Sequence, residues 1–310
     1  MAIRDDSPVL SPAHMFWKYW AAWPGWEGAR SFVATQDDVV VAHAAVVPLS
    51  IARQGRSFTL LQPLDWAAEP SQVGAGVWLL KQLRAHGDGL VNIRGSDATR
   101  RILGPLGYRS LAPVTRYVKP LDSPAPLSAA AGACTLRLHR RSAAGASPHP
   151  LQFAESQPLH IVPRRTLAHV EAWLVCPIAE MEYGELFLGR DLVASFALCR
   201  TPGQVRWVDA WASPARADGY PVLTEHLMHH VYRTRGEVAE VVCQTNQAEH
   251  ERALLGAGYR SAGADPLSVL ASTDLIADGA TLRHYLVDSD LAYLHHGSVE
   301  RWCDDMESPQ

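Results

Sequence analysis

Leu64-Asp65-Trp66-Ala67-Ala68-Glu69-Pro70-Ser71-Gln72-Val73-Gly74-Ala75-Gly76-Val77-Trp78-Leu79-Leu80 reads as a strand end, a turn with a Gly-x-Gly, and the start of a helix. Leu79, Leu80 and Leu83 give that helix one apolar side. Glycines at such a turn leave backbone N–H groups uncovered, and the first turn of a helix adds N–H groups without intrahelical partners. The helix dipole favours an anion there. The stretch is a candidate cradle for a phosphate or pyrophosphate; the plainer reading is a glycine turn that serves only the backbone.

Outward from this turn, residues 14–23 have helical character with aromatics at Trp17, Trp20 and Trp23, and Pro24-Gly25 ends it. Ser31–Thr35 and Val39–Val47 form a hairpin around Gln36-Asp37-Asp38, and Ser57–Leu64 is the next strand. A short strand follows at Leu90–Ile93, then a helix at Asp97–Leu106 and a strand at Leu111–Lys119. Residues 121–133 are rich in Pro, Ala and Ser and read as a linker.

The second half repeats the first. Trp20…Pro24 recurs as Trp173…Pro177, and Val33…Asp37-Asp38-Val39-Val40 as Leu186…Arg190-Asp191-Leu192-Val193, both at an offset of 153. Asp65…Ala68…Pro70…Leu79…Leu83 recurs as Asp209…Ala212…Pro214…Leu223…Leu227 at 144, and Arg101…Leu103…Gly107-Tyr108-Arg109-Ser110 as Arg252…Leu254…Gly258-Tyr259-Arg260-Ser261 at 151. Four landmarks in one order, differing only in loop length, predict two copies of one α/β fold with a mixed sheet. The expected units are 1–120, a linker at 121–133, 134–272, and an extension at 273–310 whose last residues, 303–310, are expected to be disordered.

Composition narrows the function. The chain has 310 residues, 47% of them hydrophobic, enough for two cores, but no run of about 18 apolar residues to span a membrane. Net charge is −4, with no basic cluster beyond His139-Arg140-Arg141 and Pro163-Arg164-Arg165, which argues against nucleic acid. Met1–Asp6 carries no apolar signal region, and the five cysteines form no C-x-x-C, so reduced thiols and a cytoplasmic location are expected. His226, His229 and His230 share a helical face, as metal ligands would, but no H-E-x-x-H is present; a solvated polar face is expected, and no metal.

Asp65-Trp66-Ala67-Ala68-Glu69-Pro70 with Gly74-Ala75-Gly76 resembles the core motif of the GCN5-related N-acetyltransferases (GNAT). Arg101–Arg109 is similar to that family's closing helix with its Leu-Gly-Phe signature, and Phe16-Trp17-Lys18-Tyr19…Pro24-Gly25 to the opening of a bacterial subgroup. Leu282–Asp290 is similar to that subgroup's tail. The resemblance implies two tandem GNAT-like domains, each a mixed sheet flanked by helices, with a cleft where two strands splay. It further implies acetyl-CoA or another acyl-CoA as co-substrate, its pyrophosphate on the backbone of Val73, Gly74, Ala75, Gly76 and Val77 and its pantetheine arm beside Leu64, Asp65, Trp66 and Ala67. The sequence departs from the family at Ser71, where Arg or Gln is usual, and at Leu103 and Leu254, where the family's acid is Tyr. Gly95-Ser96 replaces the usual strand-end Asn.

Acyl transfer to an amine needs a base for the amine proton. Asp65 is the candidate, against a strand-end capping role. Trp17, Trp20 and His43 are candidate acceptor contacts, against simple packing. In the second copy Asp218 sets a negative charge where a pyrophosphate would lie and Pro221 removes an N–H, so a structural or acceptor-binding role is expected there. The expected activity is a CoA-dependent N-acyltransferase acting on a small-molecule amine, with the cofactor on the first copy. The alternatives are a Fem-like aminoacyl transferase, which the charge balance disfavours, and a catalytically degenerate scaffold.

Overall fold

The computed structural model describes residues 11–122 and 127–293; the expected disorder at 303–310 lies outside them. The first half runs α1 (Pro12–Tyr19), β1 (Ser31–Gln36), β2 (Val39–Arg53), β3 (Arg56–Ala68), α2 (Ala75–Leu83), β4 (Gly89–Ile93), α3 (Asp97–Leu103) and β5 (Arg109–Pro120). Then come α4 (Ala129–Gly132), β6 (Thr135–His139), β7 (His160–Ile161), α5 (Leu167–Leu174), β8 (Glu180–Leu188), β9 (Asp191–Thr201), β10 (Gln204–Ala212), α6 (Gly219–Arg233), β11 (Glu240–Thr245), α7 (Ala248–Gly256), β12 (Arg260–Leu270) and β13 (Thr281–Leu282).

Local chemistry explains the boundaries. Ser11 accepts a bond from the His14 N–H and Pro12 opens α1, a favoured start. Asp37 and Asp38 both sit at positive φ, which closes the β1–β2 hairpin with a turn twisted the way the strands are. Ser96 caps α3 through the Thr99 N–H.

Eleven strands form one sheet in the order β1-β2-β3-β4-β12-β5-β11-β10-β9-β8-β6. Its centre crosses between the halves. β12, from the second half, pairs antiparallel with β4 and β5 of the first; β5 in turn pairs with β11 of the second. Each half thus lends its last strand to the other.

The apolar clusters follow the same plan. Leu79, Leu80 and Leu83 of α2 pack on Val46, Leu61 and Leu90 of the first half. Leu223, Leu227 and Val231 of α6 pack on Phe196, Trp207 and Val241 of the second. A third cluster is shared: Trp17, Leu49 and Leu60 meet Ile161, Trp173 and Tyr183, with Leu282 and Leu286 of the tail. Among the described residues no helix is long and apolar enough to cross a membrane.

Two expectations change. The segment read as linker contains α4, whose buried Ala131 accepts a hydrogen bond from His226 Nε2 at 2.7 Å. The α6 histidines are not a solvated face: His226 and His230 are buried, and His230 Nε2 lies 2.9 Å from Glu182 Oε2. Neighbours from α4 and β8 cover that face, a long-range fact invisible in helical spacing. Among the described residues no group of side chains is arranged to hold a metal.

Glu182 shows what holds β8 to its surroundings. Its buried carboxylate faces His230, Arg200 at 3.3 Å and Arg140 at 2.7 Å. Burial alone raises this carboxyl, but the His230 hydrogen bond and the two arginines outweigh it and bring it down to about 2. Removing one member strands the others' charge, so Glu182→Ala is expected to cost about 3 kcal/mol. Denaturant unfolding measures this; an unchanged midpoint would show that the carboxylate contributes nothing net.

Candidate functional site

In the first half, Gly74 takes φ +91° at the start of α2 and Val73 stands 97% exposed beside it. The Ala75 N–H is used by Gln72 O at 3.1 Å, leaving Gly76 and Val77 to present the open N–H groups of the helix. Gly76 is glycine because β3 approaches: an added Cβ would lie 3.1 Å from the Trp66 indole nitrogen and 3.2 Å from Ala68 Cβ. Trp66 donates to Gly76 O at 2.8 Å, so its ring lies against the helix start. Strands β3 and β4 pair only at Leu60–Gly89 and Leu61–Leu90 and diverge beyond. Leu64 is buried there and Ala67 exposed.

Asp65 sits at a bulge in β3 with φ +46°, a conformation that costs a non-glycine residue energy. The surroundings hold it: Asp65 Oδ2 accepts from Tyr19 Oη at 2.7 Å and lies 2.5 Å from Lys18 Nζ. The buried Lys18 also meets Asp290 of the tail at 2.9 Å. His43 joins this group through Ser31 Oγ at 3.1 Å and an edge-on contact with Tyr19. Lys18, Tyr19 and Asp290 were not singled out in the sequence; the Trp-Lys-Tyr opening and the Asp-x-Asp tail were the available signals. Trp20 is 61% exposed beside Tyr19. Trp17 is placed differently from the acceptor groove expected of it: it is buried and donates to Ala172 O at 2.9 Å, because its large ring seals the joint between the halves.

The second half repeats this geometry. Gly219 meets Ala212 as Gly76 meets Ala68, with 2.9 Å to an added Cβ. β10 and β11 run parallel over Gln204–Trp207 and Glu240–Cys243, then part. A cavity of about 1140 Å³ opens there. Trp211, Ala212 and Ser213 line it at the end of β10, Tyr220 and Thr224 on α6, Ala253 and Gly256 on α7, and Arg283 from the tail. Val73 to Val77 do not reach it.

The charge expected to repel a phosphate here is already compensated. Arg216 grips Asp218 with two bonds, Nε to Oδ1 at 2.9 Å and Nη2 to Oδ2 at 2.7 Å. Lys119 and Arg252 add positive charge to the lining, and Glu225 and Glu249 negative charge. Pro221 stands third in α6 and the Gly219 N–H bonds Arg216 O at 3.3 Å, so Tyr220 supplies the open first-turn N–H.

Deeper in, Asp209 is buried at a bulge of β10, 3.7 Å from His149 Nε2 and from Arg165 Nε and 3.8 Å from Arg283 Nη2. Burial raises its carboxyl above the ordinary value, with Arg165 and Arg283 pulling the other way. Arg165 is taken by Asp288. Tyr220 stacks on His250 at 4.8 Å, and His250 Nδ1 lies 2.8 Å from Tyr285 Oη. Asn246 occupies the strand-end position that Gly95 holds in the first half, but its amide is spent on Leu282 O and the His284 N–H. Tyr220, Arg283 and Asn246 were missed in the sequence; the offset of 151 from Gly95 points to Asn246.

No family model matches the chain, and no curated protein matches it. Solved structures do. A GCN5-related N-acetyltransferase from Anabaena variabilis aligns at 13% identity and TM-score 0.55, over 78% of this chain and 62% of that one. A probable N-acyltransferase from Enterococcus faecalis aligns at 11% and 0.53, over 77% and 61%. A GCN5-related N-acetyltransferase from Kribbella flavida aligns at 13% and 0.51, over 77% and 60%. The chain thus matches somewhat less than two thirds of the length of each. The aligned share of this chain exceeds either half, and each half contains the splayed parallel pair with a helix starting at its glycine turn. The chain has the GCN5-related N-acetyltransferase fold, built twice on one sheet.

Proposed function

We propose that the chain transfers an acyl group from an acyl-CoA to a small-molecule amine, with the acyl-CoA in the second-half cavity. The observation that carries this reading is the cavity itself, opening where β10 and β11 part and bounded by the start of α6. Its size suits a large cofactor. Lys119 and Arg252 set cations along its lining beside Glu225 and Glu249, and the open Tyr220 N–H stands at the helix start, the end that favours phosphate. The thioester supplies an acyl group already activated for attack. The chain's part is to hold it against the divergent strand edges and to manage the amine proton. Leu254, fully buried, offers no hydroxyl, and the Tyr220 hydroxyl is turned to the buried Tyr285.

A second reading keeps the cofactor on the first-half turn, with Asp65 as base and the second-half cavity taking the acceptor. The open N–H groups of Gly76 and Val77, with no acidic side chain in the first turn of α2, favour it.

Calorimetric titration with acetyl-CoA separates the two. Gly256 lines the cavity and an added Cβ there meets nothing within 4 Å, so Gly256→Trp sets an indole at the cavity wall. Val73→Asp sets a charge on the exposed first-half turn. Binding is expected in the wild type, at least about tenfold weaker in Gly256→Trp and unchanged in Val73→Asp. The opposite pattern moves the cofactor to the first half. No binding of acetyl-CoA or longer acyl-CoAs to the wild type sinks both readings.

A further inference from the structure

Arg283 is the unusual group in the cavity. It is 5% exposed, yet it lines the cavity and its Nη2 has no hydrogen-bond partner. An arginine is seldom buried unless paired, because desolvating a charge costs more than any neutral contact returns. The nearest carboxylate is Asp209 Oδ1 at 3.8 Å, beyond hydrogen-bond reach, and that oxygen has no partner either. The other acid of this region, Asp288, is committed to Arg165 and to the Tyr285 N–H. Arg283 is nevertheless firmly placed. Its N–H bonds Ile161 O at 2.8 Å, it follows the β13–β7 pairing directly, and its guanidinium lies over the Tyr285 ring at 5.0 Å. A fixed, buried arginine in a cavity lining, with one guanidinium nitrogen unbonded and shielded beside Asp209, is a preformed receptor for a planar anion, since its fork matches a carboxylate.

We propose that Arg283 binds a carboxylate of the substrate at the deep end of the second-half cavity. This rests on that cavity being the functional site, but not on its cofactor being a CoA ester. The carboxylate belongs either to the acyl group, as in a dicarboxylic half-thioester, or to the amine acceptor, as in an amino acid.

The test begins with free succinate against its neutral diamide on the full chain, read by calorimetry. Succinate is expected to bind and the diamide about ten- to a hundredfold more weakly, the range a charge-assisted pair supplies. Arg283→Gln is expected to abolish the preference and Arg283→Lys to restore part of it. Succinyl-CoA beside acetyl-CoA, and glutamate beside its dimethyl ester, then locate the carboxylate. A preference for succinyl-CoA that vanishes in Arg283→Gln assigns it to the acyl group; a preference for glutamate that vanishes assigns it to the acceptor. Equal binding of succinate and diamide by the wild type overturns the proposal, as does an anion preference that survives in Arg283→Gln. The succinate comparison needs no folded variant, and it succeeds or fails independently of whether any CoA ester binds.

Discussion

Cut between Asp122 and Leu127, the two pieces of the chain are expected not to fold alone and to regain the native state when mixed. β5 pairs with β11 and β12 and with no strand of its own half, while β4 and β5 are separated by β12. An isolated first half would carry β5 with no partner and β4 with one edge bare, and unpaired edges in a buried sheet are costly. The shared cluster would also open, exposing Trp17, Leu49 and Leu60 on one side and Trp173 and Leu286 on the other. Each piece alone should lack a cooperative thermal transition and a fixed near-ultraviolet circular dichroism spectrum; the mixture should show both. Cooperative unfolding of residues 1–122 alone would show that β5 finds a partner within its own half.

Acid is expected to destabilise the intact chain well before its carboxylates titrate. His169 and His250 are held neutral by burial, with Arg165 and Arg283 respectively adding to the effect, and each falls from the ordinary 6.5 to about 3. His284, buried against Gln62, falls to about 4. Below pH 6.5 the unfolded chain takes up protons that the folded chain refuses, so stability is full above 6.5 and is lost as pH falls toward those values. The loss is about 1.4 kcal/mol per unit for each histidine. Asp209 works the other way above its ordinary value, because the folded state raises it. Three histidines outweigh one carboxyl, so the melting temperature is expected to drop steeply from pH 6.5 to 5. His250→Phe should lower the slope by one proton. A melting temperature flat between pH 7 and 5 would show that these rings are already hydrated or charged in the folded chain.

The repeat was legible because its landmarks are local: a turn, a glycine, an apolar helix side. Gly219 approaches Ala212 as Gly76 approaches Ala68, with the glycine one residue earlier than the offset of 144 places it, because the second turn is closed differently. The strand exchange was not legible. Arg109-Ser110 and Arg260-Ser261 open β5 and β12 with the same residues, so either strand suits either slot, and pattern alone does not name its neighbour. The site was half legible. Asp218 reads as a repulsive charge until Arg216, two residues away, is seen folded onto it. The glycine turn at 74–76 reads as open until the Trp66 ring is seen against it. Arg283 stands in a tail whose partners lie more than a hundred residues away in sequence, where periodicity carries no information.

The exchanged pair β5 and β12 has a further meaning. Two identical copies of such a half, each lending its last strand to the other, would close the same sheet as a symmetric dimer. Tethering the copies in one chain replaces that encounter by an intramolecular one, at an effective concentration set by the connection. It also releases the two clefts from identity. In a homodimer every substitution appears twice; here one cleft carries Trp66 and a lysine–aspartate clasp while the other keeps its cavity and a waiting arginine. Covalent linkage thus lets the two clefts differ in sequence and shape.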